Sequence, residues 1–338
     1  MVASIEDVAR RAGVSIATVS RALRGLPDVA PSTRDRVLTA AADLSYVASP
    51  FAARLASGRT ATVGVVVPFV NRWFFAEVID TVETALRRAG FDLLLYNLGD
   101  EAGRVRFFDV MPMRKRVDAV VVVSLRLSDE EFSALQALNC PIGLLGLDRP
   151  GILCSRIDDV AGARTAVEHL TSLGHRRIAL IGGDTDDPMR FTPPLHRRDG
   201  YRDALRAVGV EPDPALERLG YFTVDGATAA AEALLQLPQR PTAFFAESDE
   251  MAFGALRAIR RAHLRVPEDV AVIGFDDQAI AELMDLSSIH QPVAEQALDV
   301  TSRLLSVLSS APTEGPTTVV LPTELVVRGS TDRSHSVL

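Results

Sequence analysis

Apolar positions recur with two different periods along this chain, and the change falls near residue 60. Before it, they repeat every three or four residues in short runs closed by turn formers, the pattern of small helices. Ser4, with Asp7 three residues on, marks a capping box and predicts a helix over residues 5–12 that Gly13 ends. Ser15 predicts the cap of a second helix over 16–24, stopped by Gly25. Pro31 and Ser32 open a third that runs to about Ser45, with Val37, Ala41 and Leu44 on one face. A fourth short stretch, PFAARLAS, follows Ser49 and closes at Gly58. From residue 62 the pattern becomes strand then helix, repeatedly. Apolar runs at 62–68, 92–97, 119–124, 142–147, 177–183, 242–247 and 269–275 read as strands. Amphipathic helices lie between them, one carrying Val78, Val82 and Leu86, another Val167 and Leu170, another Ala252, Leu256 and Ile259. Continuous apolar strands separated by helices imply parallel sheets covered on both faces. Seven such units are many for one sheet, so two doubly wound α/β lobes are expected after an N-terminal all-α segment.

Composition adds boundaries. The 338 residues, 47% hydrophobic and 24% charged, suit a folded chain of about two domains, or of one small module and a larger body. No apolar run approaches the ~20 residues of a membrane-spanning helix. The N-terminus, charged by residue 6, lacks the basic-then-apolar order of a signal segment. A cytoplasmic protein with no membrane partner is the expectation. Cys140 and Cys154 have neither metal-ligand nor redox spacing, so no metal and no cofactor are expected. Charge changes the picture more. The net charge is −8, yet residues 1–60 hold eight Arg against five Asp or Glu. A basic head on an acidic body suits a module that meets phosphate while the rest stays clear of it.

The chemistry of that head lies in IEDVARRAGVSIATVSRALRG, residues 5–25. A first helix, a tight turn at Gly13 and a second helix with polar residues outward are the parts of a helix-turn-helix. Val8, Ala9, Val14, Val19 and Leu23 form its inner face. Ser15, Ile16, Ala17, Thr18, Ser20, Arg21 and Arg24 are the candidate DNA-binding residues. Arg21 can reach O6 and N7 of guanine in the major groove, and Ile16 and Ala17 can touch thymine methyl groups. The alternative is an ordinary helical hairpin with a solvated Arg21.

VSIATVSRALRG, followed by a three-helix head and AARLASGRT, resembles the lactose/galactose-repressor family of bacterial regulators. SLGHRRIALIGG, RRDGYRDAL, SDEMAFGALRAI, VPEDVAVIGFDD, IHQP and LPTELVVRGST match family landmarks in order along the chain. The resemblance implies a headpiece over 1–48, a hinge helix and linker over 49–60, and a two-lobed periplasmic-binding-protein-like core over 61–330. Lobe 1 would take about 61–158 plus 293–323 and lobe 2 about 159–290 plus 324–330, with 331–338 a loose tail. It further implies a homodimer on near-palindromic operator DNA and a small polar effector, a sugar, bound between the lobes. In the family a hinge leucine wedges into the minor groove; the matching residue is Leu55, with Ala52 and Ala53 letting paired helices approach. The family's Pro-Asn before this helix is Ala48-Ser49 here, with Pro50 next; Ser can cap and Pro suits the first helical turn.

Ligands of parallel sheets sit beyond the carboxyl ends of the strands. That rule selects Asn71, Trp73, Phe74, Asp148, Ser248 and Asp276, and the resemblance adds Arg197 at a pocket arginine's position. Carboxylates accept from hydroxyls, the guanidinium donates, and an aromatic face packs on C–H surface. Each Asp could instead cap a helix, and Trp73 and Phe74 could be ordinary core. Arg72 and Trp73 stand where the family more usually has Asn-Pro. No Gly-rich phosphate loop, nucleophile elbow or paired His on a helix suggests catalysis. On the core alone, a sugar-binding receptor or a sugar enzyme would read the same; the headpiece separates them. A regulator with a vestigial or protein-controlled pocket is the nearer rival.

Overall fold

The computed structural model describes residues 3–23, 27–46, 59–310, 315–332 and 334, in two compact units, Met1–Ala61 and Thr62–Leu338. The helix expected over PFAARLAS, together with Arg24, Gly25 and Leu55, lies outside the described residues.

The first unit holds α1 (Ile5–Ala12), α2 (Ile16–Leu23) and α3 (Pro31–Asp43). Local chemistry sets its boundaries. The Ser4 side chain accepts from the Asp7 amide while the Asp7 carboxylate accepts from the Ser4 amide, so two otherwise orphaned donors are satisfied at one helix start. Gly13 ends α1 at φ 67°, a left-handed conformation that favours glycine. Val8, Val19 and Val37, one from each helix, are fully buried and meet Ala22, Val29 and Ala40 in a single small core. An Arg11–Asp43 ion pair at 2.8 Å ties the first helix to the end of the third.

In the second unit the chain builds β1 (Thr62–Val67), α4 (Trp73–Arg88), β2 (Asp92–Asn97), α5 (Glu101–Val110), β3 (Ala119–Val123), α6 (Asp129–Gln136), β4 (Ile142–Leu145) and β5 (Leu153–Ile157). It continues through α7 (Asp159–Ser172), β6 (Ile178–Gly182), α8 (Pro193–Ala207), β7 (Glu217–Leu219), α9 (Val224–Leu235), β8 (Ala243–Ala246), α10 (Asp249–Arg261), β9 (Ala271–Asp276), α11 (Ala279–Leu283) and β10 (Ser287–His290). Then come α12 (Val293–Leu308), β11 (Thr318–Leu321) and β12 (Glu324–Val326). Two six-stranded sheets result, in the orders β11-β5-β4-β3-β1-β2 and β12-β10-β9-β8-β6-β7. All pairings are parallel except β10 with β12. The chain passes from one sheet to the other after β5, after β10 and after β11, so three connections link the lobes.

All seven apolar runs form strands of these sheets. The central β1 and β3 are buried at every position, as strands covered on both faces must be. The edge strand β2 is only partly buried. Five further strands, β5, β7, β10, β11 and β12, carry Arg, Ser, His, Thr or Glu and gave no apolar run. Thr331, the first residue of the expected tail, is packed and not loose. Ser330 and Thr331 are buried: the Ser330 hydroxyl donates to the Val272 carbonyl, and Thr331 is hydrogen-bonded to Ser287 and His169.

Candidate nucleic-acid interface and interlobe pocket

In the first unit, α2 buries Val19 and Ala22 and leaves Ile16, Ala17 and Arg21 exposed. Ser15 caps it: its Oγ accepts from the Thr18 amide and lies 2.9 Å from the Thr18 hydroxyl. Ser20 is half-buried. Arg21 lies 3.6 Å from Asp28, a pair in which both side chains are more than half exposed. Such a surface pair contributes little, so the guanidinium is free to exchange partners. The outer face of α2 thus carries two apolar residues, two hydroxyls and one exposed cation, a set able to read the floor of a major groove.

In the second unit a small cavity lies between the carboxyl ends of the two sheets. Its lobe 1 wall comes from the start of α4 (Arg72, Trp73, Phe74 and Phe75), from Ser124 after β3, and from Gln296 on α12. Its lobe 2 wall comes from Asp159, Arg197, Ser248, Glu250, Asp276 and Gln291. Phe191 and Phe222 close it: the Phe191 ring lies 5.9 Å from Phe75 and 5.3 Å from Phe222. The lining is aromatic with a few convergent polar groups, the make-up of a small-molecule site.

Arg197 organises the polar end. It is 4% exposed, donates from Nε to Asp159 at 2.8 Å and from Nη1 to the Glu247 carbonyl, and stacks on Phe275 at 3.6 Å. Its Nη1 lies 3.6 Å from Asp276, whose Oδ1 accepts from Nε2 of the Gln291 side chain at 2.5 Å. Burial pushes the Asp276 carboxyl up from its ordinary range, and Arg197 and Gln291 oppose that rise. The backbone at Asp276 is left-handed, φ 114°, at the point where β9 delivers its carboxylate to the pocket. Strain of this kind persists where surrounding structure holds it, often at ligand sites. At the other end the Arg72 guanidinium lies 4.0 Å over Phe69 and 5.6 Å from Phe222, and burial lowers its pKa. Glu250 accepts from the Trp73 amide at 3.3 Å, an interlobe bond, and burial raises its pKa. Gln296 is 1% exposed and its Nε2 has no partner among the described residues, so a buried donor faces the cavity.

Of the residues singled out from the sequence, Trp73, Phe74, Arg197, Ser248 and Asp276 come together in this cavity. Trp73 and Phe74 are half-buried and pack on the lobe 1 core as well. Ser248 also caps α10. Asp276 caps no helix; Gln278 occupies that position for α11. Two assignments need correction. Asn71 is exposed and does not line the cavity, because the turn before α4 directs it to solvent. Asp148 does not line it either. Gly146, at φ 75°, turns the chain away after β4, and a Cβ there would come within 2.4 Å of the Ser124 hydroxyl. Asp148 then pairs with Arg156 at 3.2 Å, 57% exposed, in an adjacent open groove. Asp159, Glu250, Gln291 and Gln296 were missed. The first and third follow β5 and β10, strands without an apolar signature, while Glu250 lies two residues past Ser248, within reach of the strand-end rule.

A reader helix on a three-helix unit, followed by a two-lobed core with an aromatic cavity and convergent polar groups at the sheet ends, defines a ligand-responsive DNA-binding regulator. Residues 4–49 match the family described as bacterial regulatory proteins of the lacI family, and residues 167–331 match a periplasmic binding protein-like domain. The chain is 36% identical to the HTH-type transcriptional regulator CelR of Thermobifida fusca, covering 97% of this chain and 98% of that one. It is 33% identical to the transcriptional repressor CytR of Escherichia coli strain K12, over 97% and 96%. Among solved structures, a lac repressor dimer bound to operator and the anti-inducer ONPF matches with a TM-score of 0.84 at 27% identity, covering 98% of this chain and 99% of that one. A CelR–cellobiose complex matches at 0.70 and 34%, over 97% and 99%. The protein belongs to the lacI family of bacterial transcriptional regulators.

Proposed function

We propose that the protein is a cytoplasmic repressor without enzymatic activity, acting as a homodimer on a near-palindromic operator. A sugar bound between its lobes sets its affinity for that operator. The observation that carries the ligand reading is the Arg197 cluster: one buried guanidinium fixed by Asp159 and the Glu247 carbonyl beside Asp276, under an aromatic rim. Such a cluster offers acceptors and donors to hydroxyls and rings to C–H faces. The relatives add support, since one is described in complex with cellobiose and another as a dimer on operator. The chain's one tryptophan, Trp73, lines the cavity and reports occupancy directly. Titration with cellobiose, other neutral sugars and nucleosides should give a saturable fluorescence change with a sugar, together with a shift in operator affinity. A nucleoside that binds where no sugar does overturns the sugar assignment. Arg197→Ala should abolish the response while operator binding without effector stays nearly intact; a variant that still responds fully removes Arg197 from the site.

A further inference from the structure

Between β6 and α8 the chain leaves lobe 2 and enters lobe 1. Gly183 allows the departure: a Cβ there would lie 2.2 Å from the Phe222 ring and 2.7 Å from Pro194. Asp187 and Pro188 then make a turn by composition, Asp first and Pro second. The Asp187 carbonyl accepts from the Arg190 amide at 2.7 Å, its carboxylate accepts from the Met189 amide at 2.9 Å, and Arg190 is left-handed at φ 55°. The turn points Met189 outward from its own lobe. Its side chain is 3% exposed, yet it is buried in lobe 1, among Val66, Leu98, Phe107 and Leu125. The backbone is gripped at Met189 itself and at the residue after it. The Arg126 amide of lobe 1 donates to the Arg190 carbonyl at 3.2 Å, and the Arg104 guanidinium donates to the Met189 carbonyl. Arg104 is itself 3% exposed and fixed in place: Glu131 accepts from its Nε and Nη2 at 2.8 Å each, and the Arg126 carbonyl accepts at 2.7 Å. One residue beyond the grip, Phe191 enters the cavity between Phe75 and Phe222.

We infer that residues 184–191 are a strap that latches lobe 2 onto lobe 1 through Met189 and Arg104, and that Arg104 is a positioning residue holding Phe191 in the wall of the effector cavity. This deepens the reading of the cavity as the effector site by assigning it a closing device. A ligand packed on Phe191 shares that ring with the strap, so occupancy and latching favour each other through differential contact with the closed state. Methionine suits such a latch, because an unbranched apolar side chain adapts to a cavity that it must enter and leave.

The latch can be tested without any ligand, on the full-length protein. Met189→Ser removes the apolar anchor and touches neither the cavity nor Arg197. Hydrogen exchange at the Arg126 amide, which donates into the strap, should speed up at least about tenfold, while exchange at Val121 in the lobe 1 sheet stays unchanged. Acrylamide quenching of Trp73, which lies at the lobe junction, should increase. Met189→Leu, apolar and similar in size, should restore both. Arg104→Lys keeps the charge beside Glu131 but loses the forked reach, and should open the strap in the same way. Unchanged exchange at Arg126 and unchanged quenching in Met189→Ser would overturn the latch. Faster exchange at Val121 and Arg126 together in both Met189→Ser and Arg104→Lys would reduce these residues to ordinary core and overturn it as well. Because no effector enters these measurements, the latch can fail while the ligand assignment stands, and the converse.

Discussion

Glu247 has the clearest single-residue consequence. It is 1% exposed behind the cavity, accepting from the Gly183 amide at 2.8 Å, and burial pushes its pKa up to about 8 against the attraction of Arg197 and Arg198. The fold therefore prefers the protonated carboxyl, and the native chain holds a proton that the unfolded chain releases near 4.5. Between those values the native state binds more protons, so stability falls as pH rises, by up to about 1.4 kcal/mol per pH unit. Glu247→Gln mimics the neutral form without the titration. Its thermal midpoint relative to the parent should be higher at pH 8.5 than at pH 5, and equal differences at the two pH values would show that Glu247 does not titrate in this window. Arg21 gives the second test at this scale. Its weak pair with Asp28 yields readily to a guanine edge. Arg21→Ala should cost about 1–3 kcal/mol and relax preference at one base pair per half-site. Competition with singly substituted operators checks this, and an equal loss on every sequence would make Arg21 a phosphate contact.

At the scale of elements, what could be read from the sequence was what is decided locally. Ser4, Asp7, Gly13, Ser15 and Pro31 mark the starts and stops of α1 to α3 because caps and turns depend on residues three or four apart. Ser4→Ala should accordingly cost about 1 kcal/mol, read as faster hydrogen exchange along α1 with the core sheets unaffected. The apolar runs gave the interior strands for the same reason, since burial on both faces is written into each residue. Strands β5 and β10 escaped because their pairing is decided elsewhere. Leu153–Ile157 is a strand because β4 and β11 flank it, and Ser287–His290 because β9 and β12 do. The failure propagated to the site, since Asp159 and Gln291 stand at the ends of those two strands. Gln296 was hidden differently: it stands on a helix and not at a strand end, and only α12's placement against the lobe junction turns it to the cavity. Asp148 failed through one glycine, Gly146, whose left-handed turn redirects the two residues after it.

For the whole molecule, the reader helix and the cavity belong to separate units, so any influence between them is a coupling free energy, and such coupling is reciprocal. If a sugar such as cellobiose changes operator affinity by some factor, saturating operator must change the sugar's affinity by the same factor, typically 5–150-fold for a coupling of about 1–3 kcal/mol. The two affinities should also differ in kind. Operator binding neutralises phosphates with the arginines of a basic head, so its logarithm should fall linearly with the logarithm of salt concentration. Sugar binding to a cavity whose charges are already paired, Arg197 with Asp159 and Asp276, should hardly respond to salt. Titrating Trp73 fluorescence with the sugar, with and without operator at two salt concentrations, measures all four affinities in one protein. The expected result is a salt-insensitive sugar affinity for the free protein and a clear shift when operator is saturating. The shift should equal the change in operator affinity measured with saturating sugar at the same salt. A sugar affinity that saturating operator leaves unchanged would mean that the cavity, even if occupied, does not govern the DNA-binding head. Control would then have to enter through another surface of the core.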